Sequence, residues 1–275
     1  MNILITGATG FVGTNLIREM NPLHTIHALV RPSTVLSKVN TGRVFVFEDN
    51  IDALSTYIKT NGIEGIIHLA SLYIAEHKPD QIKDLVLSNV YLGTAVLEAS
   101  VKANVKWFIN TGTIWQNFNV PPLSMEYCPV NLYAASKQAF VDMAKYYTET
   151  SDLKFCTLKL CDTYGPGDPR KKLYALLERI AQTGETLQMS PGEQKLDMIP
   201  ISQVVSGFCL LAKKMSAGEH TEKEYVLTSG KQLTLKEIAA IYEKEHNVQL
   251  HIEWGGRPYR SREVMNPYIG NPLNQ

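Results

Sequence analysis

Short apolar runs alternate with amphipathic stretches through the first two thirds of the chain. Residues 2–6 (Asn-Ile-Leu-Ile-Thr) are an apolar run of strand length. Residues 11–20 set Val12, Leu16 and Ile17 on one helical face. The pattern then predicts strands over 25–30 and 43–47, a helix over 51–60, and a buried strand over 65–70. A long helix is expected over 80–103, a strand over 105–110, a long helix over 132–150 after Pro129, and a strand over 153–160. Strands separated by helices predict βαβ units, hence a doubly wound α/β fold with a parallel sheet covered on both faces. After Gly165-Pro166-Gly167 the rhythm breaks. Helices over 171–183 and 235–246, with short strands near 224–227 and 250–253, predict a smaller mixed α/β lobe over 168–275, interleaved with the end of the sheet of residues 1–167.

Composition narrows the class. Of 275 residues, 44% are hydrophobic and 20% charged, enough to bury a sizeable core. Lys+Arg 27 balances Asp+Glu 27, so no net positive field points to nucleic acid or an anionic membrane as partner. No apolar run approaches the roughly 20 residues that cross a bilayer. The start, Met1-Asn2-Ile3-Leu4-Ile5, carries no basic leader, and Cys128, Cys156, Cys161 and Cys209 show no CxxC spacing. A cytoplasmic protein with unpaired thiols is the expectation. The seven histidines lack metal-ligand spacing, so no metal is expected, and His68 and His246 read as packed or solvated.

The first predicted strand runs into Gly7-Ala8-Thr9-Gly10-Phe11-Val12-Gly13 and then a helix. This GxxGxxG turn lets backbone approach a pyrophosphate, and the helix N-terminus offers free N–H groups to the phosphates. A Rossmann-type dinucleotide site follows for residues 1–167. A site for NAD usually places a carboxylate at the end of the second strand, to hold the ribose 2′-hydroxyl. Here no Asp or Glu occurs from Met20 through Phe47, and the strand ends at Arg31. An Arg there can fork onto a 2′-phosphate, which favours NADP(H) and leaves NAD(H) open. Asp49 and Asn50 are placed either to contact the adenine or to cap the next helix.

Tyr133 is the only one of the 13 tyrosines with a Lys four residues on, Lys137. The two share one face of a helix that follows a strand leading into Thr111. A free phenol, with a pKa of about 10, is a poor acid or base at neutral pH, and a nearby ammonium should lower that pKa. A Thr hydroxyl can hold the substrate oxygen while Tyr transfers the proton. Lys137 can also bind the nicotinamide ribose. Trp115 either stacks on a base or sugar or fills the core.

With these motifs, His68-Leu69-Ala70, Asn89-Val90-Tyr91-Leu92-Gly93-Thr94 and Tyr164-Gly165-Pro166-Gly167-Asp168, the sequence resembles the extended short-chain dehydrogenase/reductases, the NAD-dependent epimerase/dehydratase group. The resemblance covers about residues 1–210. It implies Thr111, Tyr133 and Lys137 as the catalytic set, with Asn89 as a structural partner. It also implies a cofactor surface of Gly7, Thr9, Gly10, Phe11, Val12, Gly13, Leu69 and Ala70, a nucleotide-sugar substrate, and a homodimer formed by the helices over 80–103 and 132–150. More narrowly, residues 111–116, 131–140 and 190–194 are similar to the CDP-paratose and CDP-abequose synthases, which reduce a C4 ketone with NADPH. Thr113, Trp115, Gln116 and Asp162 are then expected on the substrate side. The Arg that usually binds substrate phosphate is Leu196 here, so Gln194, Lys195 or the tail Arg257/Arg260 is expected to substitute. Sugar-nucleotide dehydratases carry an Asp-Glu pair after the catalytic Thr; Gly112-Thr113 stands there instead and points away from dehydration. The resemblance implies reduction of the C4 ketone of a nucleotide-linked 4-keto-6-deoxy or 3,6-dideoxy hexose, CDP-linked by these motifs. A 4-epimerase with retained NAD is the alternative, and a non-catalytic dinucleotide sensor the third.

Overall fold

Within each strand, alternate side chains enter different cores, and this sets the layers. In β1 (Asn2–Thr6), Ile3 and Ile5 join one cluster and Leu4 the other. On the first face they pack with Leu16 and Ile17 of α1 (Phe11–Met20) and Val204, Phe208 and Leu211 of α7 (Ile201–Ala217). On the second, Leu4 meets Leu54 and Ile58 of α2 (Ile51–Thr60), Val96 of α4 (Leu92–Lys102), and Phe140 and Ala144 of α5 (Leu132–Thr150). The computed structural model describes residues 1–121, 123–170, 172–219 and 222–273.

The central sheet has seven strands. Besides β1 they are β2 (Thr25–Val30), β3 (Val44–Val46), β4 (Gly65–His68), β5 (Trp107–Thr113), β6 (Lys154–Leu160) and β10 (Glu224–Leu227). Their order is β10-β6-β5-β4-β1-β2-β3, and every pairing is parallel. The order reverses at β1, which opens a crevice at the carboxyl ends of β1 and β4, where such sheets bind ligands. The chain from 268 onward closes the β10 edge, with Val226 N donating to Asn271 O and Leu273 N to Val226 O.

A smaller lobe holds α6 (Leu173–Thr183), α8 (Leu235–His246) and two short sheets. One is β11 (Gln232–Thr234), β9 (Lys195–Pro200) and β7 (Asp162–Tyr164); the other pairs β12 (Ile252–Trp254) with β8 (Leu187–Met189). Its own core centres on Leu177, Ile180, Ile238 and Tyr242.

The pattern-based expectations differ from this in three ways. The βαβ rhythm resumes after the Gly-Pro-Gly turn: α7, unforeseen, is the crossover to β10. Its buried Ile201, Val204, Val205, Phe208, Leu211, Ala212 and Met215 recur at helical spacing and form one face against the sheet. The helix expected over 80–103 is broken into α3 (Ile82–Val86), a π turn (Leu87–Tyr91) and α4. Strand ends shift by a few residues: β4 stops at His68, so Leu69 and Ala70 lie beyond it, and β5 runs on to Thr113, carrying Thr111 inside the strand. The helix start expected at Lys171 lies outside the described residues.

Candidate active site

The glycine turn is built by close approach. Gly7 has φ +68°, and a Cβ there would lie 2.7 Å from Ala70 N. A Cβ on Gly13 would lie 2.2 Å from Gly7 O, so only glycine lets α1 press against the turn. Thr6 Oγ1 accepts from Ala70 N at 3.1 Å and lies 2.9 Å from His68 Nδ1. Its one proton is thus free for the imidazole, which stays neutral: burial, helped by Lys137, pushes His68 down to about 3. His68 packs against Phe108 and Phe140, as a core residue.

A cavity of about 600 Å³ opens beyond the turn, lined among others by Gly7, Thr9, Gly10, Arg31, Leu69 and Ala70. Arg31 is exposed there and enters no ion pair among the described residues. Three expected cofactor residues do other work. Asn50 caps α2, its Oδ1 accepting from Ala53 N at 2.9 Å, and Asp49 accepts from the Tyr91 hydroxyl. Neither lines this cavity. The Phe11 ring lies under the Arg170 guanidinium, and Val12 lines the neighbouring pocket.

That pocket, about 160 Å³, brings together Thr111 from β5 and Tyr133 from α5, with Thr113, Trp115, Asp162 and Arg170 in its wall. The α5 N-terminus is fixed by Asn131, whose Oδ1 accepts from Ala134 N at 2.9 Å and whose Nδ2 donates to Ala75 O at 2.9 Å. The π turn delivers a second clamp. Asn89, fully buried, accepts from Leu72 N (2.7 Å) and donates to Leu72 O (2.9 Å) and Ser136 Oγ (2.9 Å); Ser136 in turn donates to Tyr133 O (2.7 Å). A π turn inside a helix is a frequent mark of a functional site, and here it aims Asn89 at the catalytic helix.

Seven buried side-chain N or O atoms lack a partner among the described residues, and two of them belong to this site. Thr111 Oγ1 and Lys137 Nζ have no partner among the described residues, although Lys137 is 1% exposed. An unmet buried donor is costly; Thr111 lines the pocket, whereas Lys137 lines none of the three cavities. Desolvation draws the Lys137 ammonium down to about 8. The Tyr133 phenol is raised by burial, against lowering by a hydrogen bond with Ser71 and by the Arg170 charge.

The substrate side divides. A cleft of about 530 Å³ adjoins the small pocket and shares Ile114, Trp115 and Asp162 with it; Lys195, Arg260 and Arg262 line it. Trp115 thus lines both cavities while packing against the main core. Arg260 is exposed and donates to Glu76 Oε1 at 3.0 Å. Gln116 is not a substrate contact: it is 1% exposed, accepts from Thr113 N and donates to Gln138. Gln194 is likewise buried, donating to Ser190 Oγ at 2.7 Å, and it lines none of these three cavities; its neighbour Lys195 does. Both glutamines satisfy buried backbone or side-chain groups, which a motif match does not distinguish from ligand contacts.

Tyr73, Arg170 and Lys172 line the pocket and were not anticipated. Tyr73 sets its ring edge-on to Tyr133 at 5.1 Å and near Trp115 at 5.8 Å. Lys172 pairs with Asp162 at 3.7 Å. The only sequence signal for the two cations was their place just after the Gly-Pro-Gly turn. Among the described residues, no three His, Cys, Asp or Glu side chains gather as a metal site, and no helix is long and apolar enough to cross a membrane.

Comparison with known proteins agrees with this geometry. Residues 3–227 match the model of the NAD dependent epimerase/dehydratase family. A CDP-abequose synthase of Salmonella muenchen is 30% identical over 97% of this chain and 88% of its own length. Among solved structures, a dTDP-glucose 4,6-dehydratase of Streptomyces venezuelae with NAD bound (TM-score 0.82, 20% identity, 98% of this chain and 88% of that one) shares the fold. So does a UDP-glucose 4-epimerase of Thermotoga maritima (TM-score 0.81, 20% identity, 98% and 89%). The chain belongs to the NAD dependent epimerase/dehydratase family of enzymes.

Proposed function

We propose that this member of the epimerase/dehydratase family reduces the C4 ketone of a nucleotide-linked 4-keto-6-deoxy or 3,6-dideoxy hexose, with NADPH as reductant. The observation that carries the reading is the pair of unmet buried groups, Thr111 Oγ1 and Lys137 Nζ, in a site that also holds Tyr133 and opens beside the glycine turn. The residues fit a nicotinamide dinucleotide. Gly7 and Gly10 leave backbone bare where a pyrophosphate would lie, Lys137 would hold the ribose, and Arg31 would meet a 2′-phosphate. When bound, the cofactor supplies the hydride.

The chain's own residues do the rest. Thr111 and Tyr133 hydrogen-bond the carbonyl oxygen and polarise it. As charge develops there, Tyr133 gives up its phenolic proton, leaving a secondary alcohol. Lys137, desolvated and unpaired, stabilises the phenolate that results. Trp115 and Asp162, shared by both cavities, would line the sugar, and Arg260, Lys195 and Arg262 would face the substrate diphosphate. Dehydration is disfavoured by sterics as well as sequence. A Cβ at Gly112 would lie 2.7 Å from Thr157 Cγ2 and 2.8 Å from Lys159 Cγ, which leaves no room for the acid that elimination needs. The CDP-abequose synthase relative favours a CDP-linked substrate.

The enzyme is further proposed to act as a homodimer in the cytoplasm. Ile82, Val86, Leu87 and Tyr91 are exposed along α3 and the π turn, and Met143 and Tyr146 on α5, which suits a helical interface between two copies. The test of the reaction is a screen of CDP-, dTDP-, GDP- and UDP-linked 4-keto sugars, following NADPH absorbance. Oxidation of NADPH with one of them supports the reading. Interconversion of a UDP-hexose without net NADPH loss would replace it with a 4-epimerase.

A further inference from the structure

The pocket that holds Thr111 and Tyr133 has its polar wall largely spent on itself. Arg170 gives Nε and Nη2 to Asp168 at 2.7 and 2.6 Å, and Nη2 also donates to Thr163 O at 3.0 Å and Thr163 Oγ1 at 2.9 Å. Lys172 pairs with Asp162 at 3.7 Å, and Thr113 Oγ1 accepts from Trp115 N at 3.3 Å. The remaining wall is mainly apolar, with Val12, Ile114 and Leu160 beside two aromatic rings, Tyr73 and Trp115. Those rings lie 5.8 Å apart at 52°, and Tyr73 is also set edge-on to Tyr133 at 5.1 Å. Tyr73 is 52% exposed, an aromatic surface left open beside the phenol. Trp115 also borders the adjoining cleft. The pair therefore flanks the place of the ketone and the way from it to the cleft.

The chemistry of the proposed sugar says what such a wall can read. The ketone carbon C4 has two ring neighbours. C5 carries no free hydroxyl in a hexopyranose, whereas C3 carries one unless it is deoxygenated. A C3 hydroxyl set against the two rings would lose its water and gain no partner, which is costly, while a methylene there buries apolar surface. The C2 hydroxyl, one carbon further from the ketone, can go to Asp162, which borders both cavities.

We propose that Tyr73 and Trp115 are specificity-determining residues: their rings form a wall that accepts a C3 methylene beside the C4 ketone and turns away a C3 hydroxyl. The inference rests on the reading of the enzyme as a C4 ketoreductase, and it chooses the 3,6-dideoxy sugar over the 6-deoxy one. An apolar wall rejects an added hydroxyl only moderately, so the expected preference in kcat/KM is about tenfold to a hundredfold.

The test measures kcat/KM for NADPH-dependent reduction of a CDP-linked 4-keto-3,6-dideoxyhexose and of the CDP-linked 4-keto-6-deoxyhexose that keeps its 3-hydroxyl. Trp115→Gln and Tyr73→Gln put an amide where a ring stood, able to meet a hydroxyl, and each should lower the preference by about fivefold or more. Trp115→Phe and Tyr73→Phe keep an apolar ring and should hold the preference within about threefold. A third sugar, 3-deoxy with a 6-hydroxyl, locates the wall: relative to the 3,6-dideoxy sugar, the glutamine variants should change its kcat/KM by less than about threefold. No preference in the wild type overturns the proposal. So does a preference that survives both glutamine substitutions, one that Tyr73→Phe removes, or a variant effect confined to the 6-hydroxyl sugar. Trp115 packs against the core, so if Trp115→Gln fails to fold, Tyr73→Gln at its exposed position decides alone. Titration calorimetry with the corresponding 4-alcohols reads the same preference without turnover. A binding preference with neither ketone reduced would remove the reductase reading and leave the wall, whereas reduction of both ketones at equal kcat/KM would leave the reductase and remove the wall.

Discussion

The dinucleotide half of the site and the substrate cleft are built on opposite principles. Around the turn and α5, each working group is fixed by contacts that admit no other residue: Gly7 and Gly13 have no room for a Cβ, Asn89 has its partners counted out, and Lys137 is buried with its charge unmet. In the cleft between the lobes, Arg260 and Glu76 are exposed and paired with one another, while the half-buried Lys172 and Asp162 pair at the wall of the small pocket. The first half is preorganised and therefore intolerant. The second exchanges one partner for another at little cost, since exposed ion pairs contribute about 0–1 kcal/mol. Chemistry is set in the first region and substrate identity in the second.

The sharpest way to break this comparison is at the phenol. Tyr133→Phe should lower turnover by about 10²–10⁴-fold while leaving NADPH affinity nearly unchanged. Steady-state rates beside a fluorescence titration of NADPH would show it, and near-normal turnover would take Tyr133 out of the mechanism.

Lys137 tests preorganisation through stability. Its ammonium is drawn down to about 8 in the folded protein, against an unfolded value near 10.4. Between these values the unfolded chain binds the extra proton, so the contribution of this group rises with pH across about 8 to 10.4 and is a penalty below it. Lys137→Met should therefore stabilise the cofactor-free protein at pH 7, by up to about 3 kcal/mol, while abolishing most activity. Urea unfolding at pH 7 and pH 10 would reveal it as a difference that shrinks at the higher pH.

Arg31 lies at the open end of the intolerant half. Arg31→Ala should weaken NADPH by about tenfold to a hundredfold, the loss of one charge-assisted contact of about 1.5–3 kcal/mol, and leave NADH almost untouched. Equal weakening of both would show that Arg31 reads no 2′-phosphate. The smallest effect belongs to the cleft. Glu76→Gln frees Arg260 and should lower substrate KM by no more than about threefold, with kcat unchanged, in kinetics at two salt concentrations.

The same contrast governs how much could be read from residues alone. The glycine turn, the Tyr133/Lys137 spacing and the carboxylate-free second strand were legible because each is a local constraint written in adjacent positions. Helix α7 was missed although its buried positions, from Ile201 through Met215, recur at the three- and four-residue spacing of a one-faced helix. The π turn was missed because its cause, the hold of Asn89 on Leu72 and Ser136, lies 17 and 47 residues away. Gln116 and Gln194 were misplaced for the same reason: a buried amide and a ligand-facing one look alike until the partners are seen. Arg170, clamped by Asp168 two residues away and lining the pocket of Thr111 and Tyr133 from another element, is legible only in three dimensions.

The central claim, hydride delivery to C4 without return, is tested most directly by isotope. The enzyme is given a CDP-linked 4-keto-3,6-dideoxyhexose and stoichiometric NADPH carrying deuterium on the transferable position. The account predicts deuterium at C4 of the product alcohol, one per NADPH oxidised, and none when Tyr133→Phe replaces the wild type. A C4 epimer of a UDP-hexose formed from unlabelled protein-bound cofactor, with no label in the product and no NADPH consumed, would contradict it.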